Sequence, residues 1–193
     1  MIKLKNIEAK VNDDILFQVD NFTFYDGSKY ILTGENGSGK STLLKSFVNL
    51  TSLVDGEIFS DKDIVYQPQS AYIFRNNVAD NFKIIGIDPK AIRNELEFFN
   101  IDKLLNQNID KLSGGEKEKV IFLRSILNAN QTLILDEPFS QMDKKSSKKA
   151  NIFLDEWLSK SKDRMVILTS HGSLSDLTYD YHVNIDKKKL IIL

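Results

Sequence analysis

The sequence predicts an α/β fold built around a phosphate-binding loop, and three observations predict it. A short β-type run, Lys29-Tyr30-Ile31-Leu32-Thr33, leads into Gly34-Glu35-Asn36-Gly37-Ser38-Gly39-Lys40-Ser41-Thr42. That stretch meets the pattern G-x-x-x-x-G-K-[ST] at every fixed position. Leu43, Leu44, Phe47 and Val48 then recur at helical spacing, so the loop lies between a strand and a helix. Two further continuous apolar runs, Thr132-Leu133-Ile134-Leu135 and Met165-Val166-Ile167-Leu168-Thr169, are what a sheet covered on both faces needs.

The residue types of the loop suit an anion. Gly34, Gly37 and Gly39 permit turns that a Cβ would block, so successive backbone N–H groups can converge on a phosphate. Lys40 brings a point charge for the terminal phosphates. Ser41 offers a hydroxyl to Mg²⁺, and the helix that starts there turns its positive end to the ligand.

Composition sets the frame. A chain of 193 residues, 41% hydrophobic, suits one globular domain with a sizeable core and room for a small subdomain. Its formal net charge of −1 gives no bulk attraction to nucleic acid or to acidic membranes. It has no cysteine, which excludes disulfides, thiolate chemistry and Cys-ligated zinc, and fits a reducing compartment. The start, Met1 to Glu8, alternates apolar and polar residues and lacks the apolar segment of a signal peptide. No apolar run is long enough to cross a bilayer, so any membrane role would need another chain for the span.

The elements follow in order. Ile2, Leu4 and Ile7 alternate as a strand, Asp13-Asp14 reads as a turn, and Ile15 to Phe24 gives a second strand, forming a hairpin-like layer. After the loop helix, Asp55-Gly56 marks a turn, and Glu57-Ile58-Phe59 and Ile64-Val65-Tyr66 are short strands. Pro68 ends the second of these. Residues from about 75 to 128 read as mostly helical: a mixed pattern from Asn76 to Ile85, a helix opened by Asp88-Pro89, and a short piece at Ile101 to Leu105. Residues 144 to 161 predict a long amphipathic helix with Ile152, Phe153, Leu154, Trp157 and Leu158 toward the core, and Lys144, Lys145, Lys148 and Lys149 toward water. Tyr181 to Leu193 reads as a hairpin turning at residues 186 to 189.

Two more stretches carry chemistry. Leu133-Ile134-Leu135 delivers Asp136 and Glu137 at a strand's C-terminal end, where a phosphate-binding protein holds Mg²⁺; Asp136 fits that role. Glu137 points another way and can polarise an attacking water. Leu112-Ser113-Gly114-Gly115-Glu116 reads as a capping box that needs no ligand. Its two consecutive glycines are poor for a helix start, and suit backbone N–H groups that must approach a phosphate.

Leu112-Ser113-Gly114-Gly115-Glu116 also resembles the signature motif of the ATP-binding cassette (ABC) family, and the other landmarks fall in that family's order. Gln69, after Pro68, matches the Q-loop glutamine, with Gln67 a rival. Asp136 and Glu137 match the Walker B aspartate and the catalytic glutamate, Asp143 the end of the D-loop, and His171 the switch histidine. The other histidine, His182, has no motif around it and reads as core or surface.

The resemblance implies an ABC-type core sheet with an N-terminal antiparallel β subdomain and a helical insertion, in a single domain over residues 1–193. It implies ATP and Mg²⁺ as ligands, with Glu35, Asn36, Ser38 and Thr42 joining the rest of the loop around the nucleotide. It also implies Ser41, Gln69 and Asp136 at the metal, and Glu137 and His171 in hydrolysis. Ser113, Gly114, Gly115 and Asp143 would face the nucleotide of a second copy, or of a related subunit, in a head-to-tail dimer. The implied role is to power a transporter from the inner face of the cell membrane, on a separate membrane-spanning subunit and without nucleic acid.

Departures and rivals are visible too. Gln69 follows Lys40 by 29 residues, which trims the β subdomain, and no aromatic stands near Val11-Asn12 to stack on adenine. The alternative is a soluble, non-transport ABC ATPase, although those of the translation-factor type usually carry two cassettes. The 43 residues between Gln69 and Ser113 cannot hold the coiled coil of a DNA-repair or chromosome ATPase. A small-molecule kinase would not need a second glycine-rich anion site.

Overall fold

A computed structural model describes the chain except for residues 13, 75 and 171–173. Its described strands form one nine-stranded sheet in the order β4-β1-β2-β9-β8-β3-β7-β6-β5. In chain order these are β1 Ile2–Val11, β2 Asp14–Phe24, β3 Lys29–Gly34, β4 Val54–Ser60, β5 Ile64–Gln67, β6 Thr132–Leu135, β7 Met165–Thr169, β8 Tyr181–Asp186 and β9 Lys189–Ile192. Antiparallel pairing joins β1 to β2 and to β4, which makes the N-terminal β layer. From β8 through β3, β7 and β6 to β5 all pairing is parallel.

The parallel strands alternate between two cores, as a period of two demands. Ile31, Leu133, Leu135, Val166 and Leu168 face a core shared with the helices after residue 75. Tyr30, Leu32, Ile134, Met165 and Ile167 face the other, under the loop helix α1 Lys40–Ser46 and the β layer. Both faces are covered, so these strands are apolar throughout.

The remaining helices are α2 Asp80–Lys83, α3 Arg93–Phe98, α4 Gly114–Asn128 and α5 Lys144–Ser159. The expectation of a helical stretch from Asn76 to Ile85 is met only by the one turn of α2. Asn81 explains the rest: its side chain bonds the backbone N–H and C=O of Phe74 and the C=O of Asn77, which holds the preceding chain in a loop. Asp88 does cap the chain at Pro89, but the turn it opens, Pro89–Ile92, is 3₁₀ and only becomes α-helical at Arg93. On α5 the buried positions are Ser146, Ala150, Asn151, Leu154 and Trp157. Ile152 lies two residues, or about 200°, from Ala150 and is therefore on the outer face, 43% exposed, contrary to expectation. Lys149 also departs from expectation: its ammonium lies over the Phe98 ring and donates to the Phe98 carbonyl.

Candidate nucleotide site

The phosphate-loop pattern opens a cavity of about 760 Å³, lined by Val11, Leu16, Asn36, Gly37, Gly39, Lys40, Ser41, Thr42, Gln69 and Glu137. Gly39 caps α1 in the left-handed region, at φ 98°. A Cβ there would come within 2.7 Å of the Phe17 ring, so only glycine lets α1 start this close to β2. Lys40 is buried, and its ammonium donates to the carbonyls of Gly34 at 2.9 Å and Glu35 at 3.0 Å. The loop thus folds over its own lysine. Burial pushes the Lys40 pKa down, and the charges of Glu137 and Asp136 oppose that shift. The buried Ser38 hydroxyl has no partner among the described residues. One ammonium and the N–H groups opening α1 are the donor set a polyphosphate takes.

Parallel pairing of β6 with β7 sets the acidic side of the cavity. Leu135 stands opposite Leu168, so Asp136 and Thr169 meet at the next position. The Thr169 hydroxyl donates to Asp136 Oδ1 at 2.8 Å and accepts from the Glu137 N–H at 2.8 Å. The Tyr66 hydroxyl reaches Asp136 Oδ2 at 3.4 Å, and burial beside that carboxylate pushes the Tyr66 pKa up. Glu137 leaves the strand at φ 52°, a conformation that costs a non-glycine residue energy and turns its side chain to the cavity. There the Gln69 amide donates to its carboxylate at 2.9 Å. Gln67, the rival glutamine, is buried in β5, where its backbone carbonyl accepts from the Asp136 N–H.

Ser41 and Asp136 supply hard oxygens of the kind Mg²⁺ takes. Among the described residues, no group of three or more His, Cys, Asp or Glu is placed to hold a metal. Mg²⁺ takes one or two such protein oxygens and completes its shell with phosphate and water, so Ser41 and Asp136 fit it as candidate ligands. Gln69 is engaged with Glu137 in this arrangement.

The other expected site residues lie elsewhere. Ser113 is exposed at the start of α4 and forms both halves of the capping box with Glu116. Asp143 caps α5, accepting from the N–H and hydroxyl of Ser146, which holds its pKa down. His171 lies outside the described residues. His182 is half-buried, with Nε2 2.7 Å from the Thr33 hydroxyl.

Thr169 and Tyr66 were not foreseen as site residues. Their signal exists only once the strand order is known, because they reach Asp136 from neighbouring strands. Leu16, on the cavity wall with Val11, has no such signal either, because it reaches the site from β2 where that strand packs against Gly39.

The ABC transporter family model matches residues 17–140. A zinc import ATP-binding protein, ZnuC of Haemophilus influenzae, is 36% identical over 149 residues, covering 74% of this chain and 56% of the relative. The chain thus spans little more than half the length of that curated relative. The energy-coupling factor transporter ATP-binding protein EcfA1 of Thermotoga maritima is 28% identical over 205 residues, covering 95% and 78%. A solved ATP-binding subunit of an ABC transporter superposes with a TM-score of 0.85 at 18% identity, covering 100% of this chain and 90% of that one, which supports the fold.

Proposed function

This chain belongs to the ABC transporter family, and on that premise we propose that it is the ATP-binding and ATP-hydrolysing subunit of a transporter. The observation that carries the reading is the meeting of Lys40, Ser41, Gln69 and Glu137 around one cavity. Lys40 would release the loop carbonyls and take the terminal phosphates. Ser41, Asp136 and Gln69 would hold Mg²⁺, which supplies charge neutralisation on the phosphate oxygens. Glu137, held by Gln69, would orient and deprotonate the attacking water. His171, outside the described residues, would sense the γ-phosphate. Adenine would lie on the aliphatic wall of Val11 and Leu16, in place of an aromatic stack.

Ser113, Gly114 and Gly115 lie outside the cavity lining, at the N-terminus of a 15-residue helix. In a head-to-tail dimer they and Asp143 would close the partner's nucleotide site, using the helix's positive end. Among the described residues no helix is long and apolar enough to cross a membrane. The transporter reading therefore assigns the span to a separate subunit, with this chain docked on its inner face. The relatives' printed names place them in transporters, which favours this reading over a soluble, non-transport ATPase. We carry over the role and not the zinc.

Phosphate release from MgATP by the purified chain tests the reading. If two copies share each site, turnover per chain rises with protein concentration and levels off. A chain that binds MgATP but hydrolyses none at any concentration, with or without a membrane partner, contradicts it.

A further inference from the structure

Gly114, Gly115 and Glu118 lie on one face of α4, three and four residues apart. That face is pressed against the loop that follows Glu137. A Cβ on Gly115 would stand 2.9 Å from the Gln141 carbonyl oxygen, and one on Gly114 would overlap the Gln141 side-chain amide. Gly115 is therefore required by a backbone contact within one chain, whatever else it meets, whereas the Gln141 amide could swing away from a side chain at Gly114.

Glu118 completes the socket. Its carboxylate accepts from the Gln141 N–H at 2.6 Å and from the Ser140 hydroxyl at 3.0 Å. It is only 9% exposed, and burial pushes its pKa up. An acid placed there is costly to desolvate, and the hydrogen bonds from Ser140 and Gln141 offset that cost.

The loop so held is short and stiff. Only Pro138 and Phe139 separate Glu137 from Ser140, and the Ser140 N–H donates to the Glu137 carbonyl at 3.3 Å. Phe139 packs on Phe122 of α4, with ring centroids 5.8 Å apart. Gln69, which holds the Glu137 carboxylate from the other side, lines a cavity of about 200 Å³ together with Glu118 and Gln141.

We propose that Glu118 is a positioning residue: its carboxylate latches residues 140 and 141 onto the first turns of α4 and thereby fixes where Glu137 stands in the nucleotide cavity. This rests on the reading of Glu137 as the carboxylate that activates water. The latch also makes the Ser113–Gly115 segment and Glu137 of one chain a single mechanical unit.

Glu118→Ala tests it, with Glu118→Gln as the conservative variant. Alanine removes both bonds and keeps helix propensity. Glutamine keeps both: its carbonyl accepts from the Gln141 N–H, and its amide donates to the Ser140 oxygen. Hydrogen exchange of the 137–143 segment reads the latch, and steady-state hydrolysis with ATP affinity reads its consequence. In Glu118→Ala, exchange in that segment should quicken roughly tenfold or more, which is what losing two buried hydrogen bonds gives. Its kcat should fall about tenfold while ATP affinity stays at the wild-type value. Glu118→Gln should match wild type in both. Unchanged exchange in Glu118→Ala overturns the latch, and faster exchange with unchanged kcat overturns its positioning role. Glutamine behaving as alanine overturns the hydrogen-bond account. If Glu118→Ala fails to fold, Ser140→Ala removes one bond alone and should still quicken exchange there; no change overturns the latch. If the wild type hydrolyses nothing, the functional reading fails, while the exchange measurements still decide the latch.

Discussion

Replacing Glu137 by Gln should abolish turnover and spare ATP binding. The amide has the carboxylate's shape, and its carbonyl can still accept the 2.9 Å hydrogen bond from Gln69, so the cavity keeps its form. What is lost is the ability to take a proton from water, a contribution of about 10²–10⁴-fold in rate for a positioned base. Removing a negative charge from the cavity wall should not weaken ATP. Phosphate release at saturating MgATP and calorimetric titration measure the two quantities. A mutant within a few-fold of the wild-type rate would remove Glu137 from the chemistry. The left-handed backbone at Glu137, held by the N–H bond to Thr169, would then have no functional explanation.

The second large effect belongs to Lys40→Ala. In this structure the ammonium is spent on the Gly34 and Glu35 carbonyls, and ATP would exchange those for phosphate oxygens. Hydrogen bonds to charged partners are worth about 1.5–3 kcal/mol each, so losing even one weakens ATP roughly 10- to 150-fold. Glu137 and Asp136, which the lysine partly neutralises, would then face the triphosphate without it. Arginine should not rescue, because the site is buried and a planar guanidinium cannot take the place of a compact ammonium. Equal ATP affinity in wild type and Lys40→Ala, both folded by circular dichroism, would sink the phosphate-loop assignment.

Much of this site was legible in the sequence because its chemistry is local. The loop from Gly34 to Thr42 is one contiguous segment, and Asp136-Glu137 sits at the end of a strand whose apolar run announces it. The capping box at Ser113 and Glu116 forms as its spacing requires. What stayed hidden depends on tertiary pairing. Thr169 meets Asp136 only because β6 and β7 are neighbours in register, and Glu118 meets Gln141 across 23 residues of chain. The helical insertion was the least legible part, since Asn81 replaces backbone helix bonds with side-chain ones, which no periodicity reveals. The paired glycines suit a phosphate, and the Gln141 carbonyl supplies a second, independent reason for Gly115.

That reason decides how the dimer must be tested. A side chain at Gly115 would displace Gln141 of its own chain before it met any partner. Ser113 is exposed, and aspartate is as good an N-cap as serine, so Ser113→Asp keeps α4 capped while adding a charge that would face the partner's γ-phosphate. In water-excluded surroundings that repulsion is poorly screened. The decisive measurement is size-exclusion chromatography of Glu137→Gln with MgATP, alone and combined with Ser113→Asp. The account predicts an ATP-dependent dimer for the single mutant, and a monomer for the double mutant with ATP affinity unchanged. A double mutant that still dimerises with ATP, or a single mutant that stays monomeric at saturating ATP, would contradict the shared nucleotide site.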